Sequence, residues 1–573
     1  MKHSNEKNSF YAKVLSVYPE QVDKYWSNLE SDIQFYKDSK YVFNNPWDME
    51  CCKRPCYYKN NKVSPNGDPE WIFQYCRFEW LVKYLLVYEK SHDVTLLTQW
   101  AETICEFYEK NDCKRDSLYA RAYPSKGIFK KILWRVERSL LGTRSPTYRS
   151  LDVAIRNAAI LLALQHCVEI YDVPQTVSIK ARVVEDSLYA YGCIGEFEKN
   201  SNWGIIIVCS YLLCGLFTSD DRINIGGAFE TLKEMLKKQI LPLGAHKESS
   251  SMYHNQVLLW LTKVSYWFKK LSRQYPLFID EYIKLMYNYT KSTTGPDLKQ
   301  VALGDSDFTS LNTLRAIVES VLKHDNIIKV IKEPDFILLH DYDFDFEKEE
   351  LGELLNSGCV SDGVCKFVKD HFTLIVTNSY YGSSHKHCDN GSFSLYYGKV
   401  PILIDSGRYT YHDSYWREYF KGQFAHNIVS TLRDIQNIDE YNKNITGAQI
   451  DYDQEYGNVV IKYRTDNCEY QRIFNIKDCE LYITDLIQTD NTIDTVYQNL
   501  VLHPSFKQIG NNIFSNEELS IELSNDYLNT IVTDGWISTD YNYKEETIRI
   551  FSSSTNKTKY STFIKILKVH SNE

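Results

Sequence analysis

The chain contains 15 cysteines but no repeated Cys-x-x-Cys spacing. That removes the pattern of a zinc ribbon or a disulfide framework. An odd number of scattered cysteines reads as mostly free thiols in a reducing compartment. Cys51, Cys52 and Cys56 lie close together, but adjacent cysteines chelate a single ion poorly. The opening residues, MKHSNEKNSFYAKVL, lack an apolar core of signal-peptide length. The expectation is a cytoplasmic protein, or a periplasmic or secreted one if a leader was removed. The longest apolar run, Trp203–Phe217, is too short to span a bilayer and is predicted to be a buried helix. There is no basic excess either: the net charge of −10 argues against wholesale electrostatic binding of nucleic acid. Long biased tracts and sequence-level repeats are also missing.

What is present is globular in composition, 43% hydrophobic and 24% charged, over 573 residues. A chain of this length exceeds one hydrophobic core, so two or three domains are expected. Its 44 tyrosines suit carbohydrate binding, because tyrosine stacks on sugars and hydrogen-bonds through its hydroxyl. Codon bias in an AT-rich genome explains the same excess, since Asn, Lys and Ile are also common.

The periodicity changes once along the chain. Residues 1–44 have helical spacing around Tyr11–Val17 and Val22–Leu29, and 45–70 are loop-like. From Trp71 to about Lys323 apolar residues recur every three to four positions, in stretches such as Leu151–Ile170, Trp203–Phe217 and Tyr253–Leu271. Many successive helices suggest an α/α toroid or solenoid. After Glu333 the pattern is of strands, among them Cys365–Thr377, Ser392–Ile404, Asn458–Arg464, Tyr470–Ile476 and Leu481–Ile487. Tyr397-Gly398-Lys399 is placed to turn a hairpin. Helices followed by strands predict two domains, helical over 1–330 and antiparallel β over 331–573, with the boundary near 325–335.

The chemistry-bearing residues concentrate in 371–430, which holds His385, His387, Asp389, Asp405, His412, Asp413 and His426. These types bind divalent metals or move protons. In His385-Lys386-His387 the two imidazoles share a face if the backbone is extended, and take separate jobs if it is a loop. A His, Asp, His set from His387, Asp405 and His426 suits zinc. Equally, Asp405 is placed to cap the Asp405-Ser406-Gly407 turn and His426 to be a satisfied core histidine. In the helical half, Glu248–His254 precedes an apolar helix, where Tyr253 either faces a cleft or packs in the core. Asn200–Gly204 precedes the most apolar helix, where Asn202 is either a cap or an amide facing a cleft.

The block HKHCDNGSFSLYYGKVPILIDSGRYTY, followed by AHNIV, resembles the signature of the heparinase II/III superfamily of polysaccharide lyases. Asn202-Trp203-Gly204, Glu248–His254 and Asp68-Pro69-Glu70-Trp71 with Arg77 are similar to its helical segments. The resemblance implies an N-terminal (α/α) toroid followed by a C-terminal antiparallel β-sandwich. It also implies β-elimination on an acidic polysaccharide or oligosaccharide. Asn202 then neutralises the uronate carboxylate. Tyr253 is the acid, and the base for one C5 epimer, while His385 is the base for the other. His387, Asp405 and His426 hold a structural Zn2+. Arg77, Arg408, Tyr409 and Tyr411 contact substrate. Arg156 and Arg417 are further candidates for its acidic groups. No nucleic-acid partner or membrane span is implied, and a homo-oligomer is left open.

Two other readings stand beside this one. The first is a metal-dependent glycan hydrolase using His385, His387, Asp405 and His426. The second is a non-catalytic glycan-binding protein of a capsule or O-antigen pathway.

Overall fold

The computed structural model describes residues 91–110, 148–323, 358–379, 384–411, 414–435, 444–453, 457–489, 495–555 and 557–569, with scattered positions between 70 and 88 and the pairs 327–328 and 345–346. The cysteines at 51–56, the helices expected at 11–17 and 22–29, His412, Asp413 and most of the expected boundary at 325–335 lie outside the described residues. The chain divides into two units. One comprises Met1–Gln239, Leu259–Ile283 and Asn312–Glu349; the other comprises Ile240–Leu258, Lys284–Leu311 and Glu350–Glu573.

The helical half follows its apolar spacing. Among the described residues its α-helices of eight residues or more are α1 (Thr95–Lys110), α2 (Ser150–His166), α3 (Thr176–Gly192), α4 (Asn202–Thr218), α5 (Ile225–Gln239), α6 (Ser251–Lys270), α7 (Phe278–Ser292) and α8 (Asn312–Lys323). Between Asn202 and Thr218 no residue is charged, so α4 is buried on nearly all sides and packs against α2, α3 and α5. Gly204 lets it approach the preceding turn, since a Cβ there collides with the Glu198 carbonyl. Among the described residues no helix is long and apolar enough to cross a membrane.

Among the described residues, the strands of the second unit form three antiparallel sheets, and Ile327–Ile328 and Asp345–Phe346 of the first unit pair in parallel. A five-stranded meander runs β1 (Cys359–Ser361), β2 (Val364–Lys369), β3 (Phe372–Thr377), β4 (Phe393–Tyr397) and β5 (Val400–Leu403). Then come β6 (Val429–Thr431), β7 (Thr446–Asp453), β8 (Asn458–Arg464), β9 (Glu469–Lys477), β10 (Glu480–Gln488) and β11 (Val496–Val501). The last are β12 (Lys507–Gln508), β13 (Ile513–Ser515), β14 (Leu519–Asn525), β15 (Asn529–Ile537), β16 (Glu545–Ser554) and β17 (Lys559–Val569). The eight-stranded sheet has the order β12-β13-β14-β17-β10-β9-β8-β7, and the four-stranded sheet β15-β16-β11-β6. One core draws on all three sheets, with Phe367, Leu374, Phe393, Ile461, Phe474, Ile483 and Leu500 among its members, so the unit is a β-sandwich.

Strands β8 to β10 alternate buried and half-exposed residues along almost their whole length, as the period-2 pattern requires. Two inward positions carry charge. Arg472 and Asp485 pair at 2.7 Å, and Arg472 also donates to the carbonyls of Gly391 and Asn427. That arginine ties the large sheet to the chemistry-bearing loops. The expected strand Cys365–Thr377 is instead two, β2 and β3. It folds back at Asp370 and His371, both left-handed at φ 48° and 68° without any glycine to signal the turn.

Candidate active site

The loop from Asn378 to Ser392, between β3 and β4, carries the H-x-H pair, and buried polar groups fix its described part. Lys386, between the two histidines, points inward and donates to Asp389, Asn390 and the His387 carbonyl. The Asn390 amide reaches Asn378 Oδ1 and the Ser379 carbonyl, and Gly391 donates to the Thr377 carbonyl. A buried ammonium held this way leaves the flanking imidazoles little freedom.

Both imidazoles converge on one carboxylate. His385 Nδ1 lies 2.8 Å from Asp305 Oδ2, and His387 Nε2 lies 2.9 Å from Asp305 Oδ1. Arg417, on α9 (Tyr415–Lys421), straddles the same carboxylate at 2.5 and 2.9 Å. Asp305 is fully buried, which pushes its carboxyl up. Arg417 and the two imidazoles outweigh that and hold it well below the usual carboxylate range. It is therefore an anion and can only accept hydrogen bonds.

Tyr253 enters from the first turn of α6. Ser250 and Ser251, at the helix start, bond to Ser306 and to the carbonyls of Asp305 and Val301, which stitches the helix to the Asp305 loop. The Tyr253 ring packs on the His385 ring, with centroids 4.1 Å apart and planes tilted by 32°. Its hydroxyl lies 2.6 Å from that of Tyr411, and either oxygen can donate. Arg408 donates to the Tyr411 hydroxyl at 2.9 Å and pairs with Asp307 through two nitrogens. Burial, with Tyr253 beside it, keeps the Tyr411 phenol well above its ordinary range, so it holds its proton. Tyr409 is left-handed at φ 56°, and its ring stacks on Phe420 at 5.5 Å. Gly407 (φ 76°) permits this loop, because a Cβ there meets the Ser538 carbonyl.

The zinc expectation is corrected. Among the described residues no group of three or more His, Cys, Asp or Glu side chains is arranged to hold a metal ion. The three residues expected to share an ion divide between two carboxylates: His387 bonds to Asp305, and Asp405 bonds to His426 Nδ1 at 2.8 Å. Among the described residues, His387 Nδ1 and His426 Nε2 are buried without a hydrogen-bond partner. Asp405 Oδ1 also accepts from Gly407 N–H, the turn-capping role its sequence allows. The metal-dependent hydrolase reading loses its ligand set with this correction.

Asn202 and Arg77 belong to the first unit. Asn202 is buried as the first residue of α4, after Ser201 at the N-cap. Arg77 pairs with Asp152 at 2.9 Å and Glu70 at 3.4 Å. Arg156 pairs with Asp186 at 3.4 Å. Sequence reasoning missed Asp305 and Asp307 altogether. Their only local signal is Gly304-Asp305-Ser306-Asp307, which reads as an ordinary polar turn.

Two family models match the chain, heparinase II/III N-terminus over residues 21–326 and heparinase II/III-like, C-terminal, over 360–565. No curated protein matches it. Among solved structures it is similar to heparinase III, with a TM-score of 0.67 at 15% identity over 96% of this chain and 91% of that one. It is similar to heparan sulfate lyase HepC from Pedobacter heparinus, with a TM-score of 0.59 at 14% identity over 95% and 83%. It is also similar to the chondroitin AC lyase of Streptomyces coelicolor A3, with a TM-score of 0.51 at 10% identity over 89% and 76%. At these identities the likeness to the solved structures is one of fold.

Proposed function

The chain belongs to the heparinase II/III family, and from that premise we propose that it is a polysaccharide lyase cleaving a uronate-containing acidic glycan by β-elimination. The observation that carries the reading is the face-to-face placement of Tyr253 and His385, an acid and a base, with the Tyr411 hydroxyl 2.6 Å from that of Tyr253. The solved relatives include a heparan sulfate lyase and a chondroitin AC lyase complexed with chondroitin sulphate, both acting on acidic polysaccharides.

The C5 proton of a uronate is weakly acidic, because its removal leaves charge that spreads into the adjacent carboxylate. In this proposal the Asn202 amide hydrogen-bonds that carboxylate. His385, or Tyr253 for the opposite C5 epimer, removes the proton. The C5–H electrons become the C4–C5 double bond, the C4–O4 bond breaks, and Tyr253 protonates the departing O4. Arg408, Tyr409 and Tyr411 are the proposed sugar contacts in the second unit. The charge of Arg77, also proposed as a contact, is already met by Asp152 and Glu70. A cytoplasmic setting belongs to the same proposal, supported by described cysteines that are thiols rather than disulfides.

The test is turnover of a panel of acidic oligosaccharides. Elimination raises absorbance near the ultraviolet edge and gives products without added water. Products carrying the mass of added water, or no turnover across the panel, overturn the lyase reading. Tyr253→Phe is expected to lower kcat by about 10²–10⁴-fold with KM little changed, the loss of one acid–base group.

A further inference from the structure

The structure assigns Asp305 a positioning role: its carboxylate holds His385 in the Nδ1–H tautomer, so that Nε2 presents the lone pair that takes the C5 proton. This rests on the β-elimination reading above. It adds a residue that the sequence did not mark and that touches no substrate.

The argument is one of donors and acceptors. A neutral imidazole has one N–H and one bare nitrogen, and the partner of one ring nitrogen decides which is which. The partner of His385 Nδ1 is Asp305 Oδ2, at 2.8 Å. Arg417 spans both oxygens of that carboxylate, so it is ionised and offers no hydrogen of its own. Nδ1 must then carry the hydrogen, and Nε2 the lone pair.

The backbone fixes the same pair a second time. Asp305 N–H donates to the His385 carbonyl at 2.8 Å. Gly304 makes this approach possible, since it is left-handed at φ 58° and a Cβ there would sit 2.6 Å from the His385 carbonyl oxygen. On the other oxygen, His387 Nε2 donates at 2.9 Å, so the carboxylate grips the loop on both sides of Lys386. Imidazole and carboxylate cannot drift apart without breaking contacts at three points.

The role follows through the reaction. As Nε2 takes the C5 proton, His385 becomes an imidazolium with hydrogens on both nitrogens. The carboxylate that set the tautomer then faces a cation, and this favours proton transfer. Asp305 itself gains and loses no proton. After product release the proton taken at Nε2 leaves to solvent and Tyr253 regains one from solvent, which restores the starting tautomer and the phenol.

The first test needs no variant. In wild-type protein labelled with 15N-histidine, His385 is assigned by the loss of its signals in His385→Gln. The expected signature is a protonated Nδ1 and a bare Nε2; the reverse tautomer overturns the proposal. The second test is Asp305→Asn, whose amide offers one acceptor oxygen where the carboxylate offers two. On an oligosaccharide whose cleavage depends on His385, kcat is expected to fall by about 10²-fold while KM stays within about threefold. The double variant Asp305→Asn/His385→Gln should be no slower than His385→Gln alone, because Asp305 acts through that ring. A clearly slower double variant, or a kcat loss that leaves the tautomer unchanged, assigns Asp305 a merely structural role. If Asp305→Asn does not fold, the wild-type tautomer decides. If the wild type yields no unsaturated product, the lyase reading fails, while the tautomer still reports on the dyad.

Discussion

Asp186 in the helical unit and Asp305 in the β unit are both fully buried beside arginine, yet they titrate in opposite directions. Burial pushes both carboxyls up. At Asp186 burial wins, with Arg156 and Arg182 offsetting only part of it. At Asp305 burial loses to Arg417 and two imidazoles. Geometry explains the difference. Arg156 reaches Asp186 at 3.4 Å and Arg182 at 3.1 Å. Arg417 grips Asp305 at 2.5 and 2.9 Å, with the imidazoles at 2.8 and 2.9 Å. Aromatic faces do not set the two apart: Arg156 lies 5.1 Å from the Tyr148 ring and Arg417 lies 5.1 Å from that of Tyr411. Depth of burial does not set the charge of a carboxylate; the number and aim of its donors do. One aspartate helps pack a helical core, and the other is an anion against which a base can be oriented.

The largest effect should come from breaking the tighter cluster. Arg417→Met takes the guanidinium from Asp305 and leaves the two imidazoles as its side-chain partners. The expected loss is about 3–5 kcal/mol, the range for stranding one member of a buried ion pair. The midpoint of urea denaturation, with the slope checked for change, measures it. A loss below about 1 kcal/mol would mean that the carboxylate is not an anion in the folded protein, and the contrast with Asp186 would collapse.

The same contrast separates what the sequence made legible from what it hid. The helix at Asn202 was readable because an uncharged run of that length must be buried. Strands β8 to β10 were readable because their alternation is nearly unbroken. Strand β15 was not, since most of Asn529–Ile537 is exposed or half-exposed and gives no period. Within the site, the H-x-H pair was visible from residue type, whereas Tyr253 was left between a cleft and the core until the family resemblance marked it. Asp305 was not, because its partners lie 80, 82 and 112 residues away and its own neighbours look like a surface turn. A carboxylate that draws its role from distant donors leaves no local mark.

A smaller effect is expected in acid, where the two aspartates should pull apart. The folded pKa of Asp305 lies below its unfolded value of about 3.9. Its contribution is therefore complete above that value and is lost as the pH falls toward the folded pKa. For Asp186 the sign reverses: its folded pKa is raised, so keeping it ionised costs stability at neutral pH, and acidification relieves the cost. Denaturation of wild type, Asp305→Asn and Asp186→Asn between pH 7 and pH 3 tests this. The advantage of wild type over Asp305→Asn should shrink as the pH falls below about 4. Its advantage over Asp186→Asn should grow on acidification. The slope with pH is the readout, since each substitution also shifts the offset by changing hydrogen bonds. Parallel curves would refute the difference between the two sites.

The smallest effect is the counterpart of the first. Arg182→Met removes one of the two cations beside Asp186 and keeps an apolar stem of similar length. Arg182 also donates to the Tyr148 hydroxyl at 2.6 Å and lies 5.1 Å from the Tyr108 ring, so one charged hydrogen bond and some packing are lost with the charge. The carboxyl it leaves behind is already raised, and losing a cation raises it further. Asp186 can therefore answer by taking up a proton on a carboxyl that is already raised, whereas Asp305 starts from well below the usual range and keeps two imidazole donors when Arg417 is removed. Protonation caps the damage at the cost of neutralising one carboxylate. The expected loss is about 1–2 kcal/mol at pH 7 and less at pH 5, where protonation comes more easily. If the same Arg-to-Met change costs as much at Asp186 as at Asp305, the escape by protonation does not operate, and the two carboxylates differ only in their neighbours.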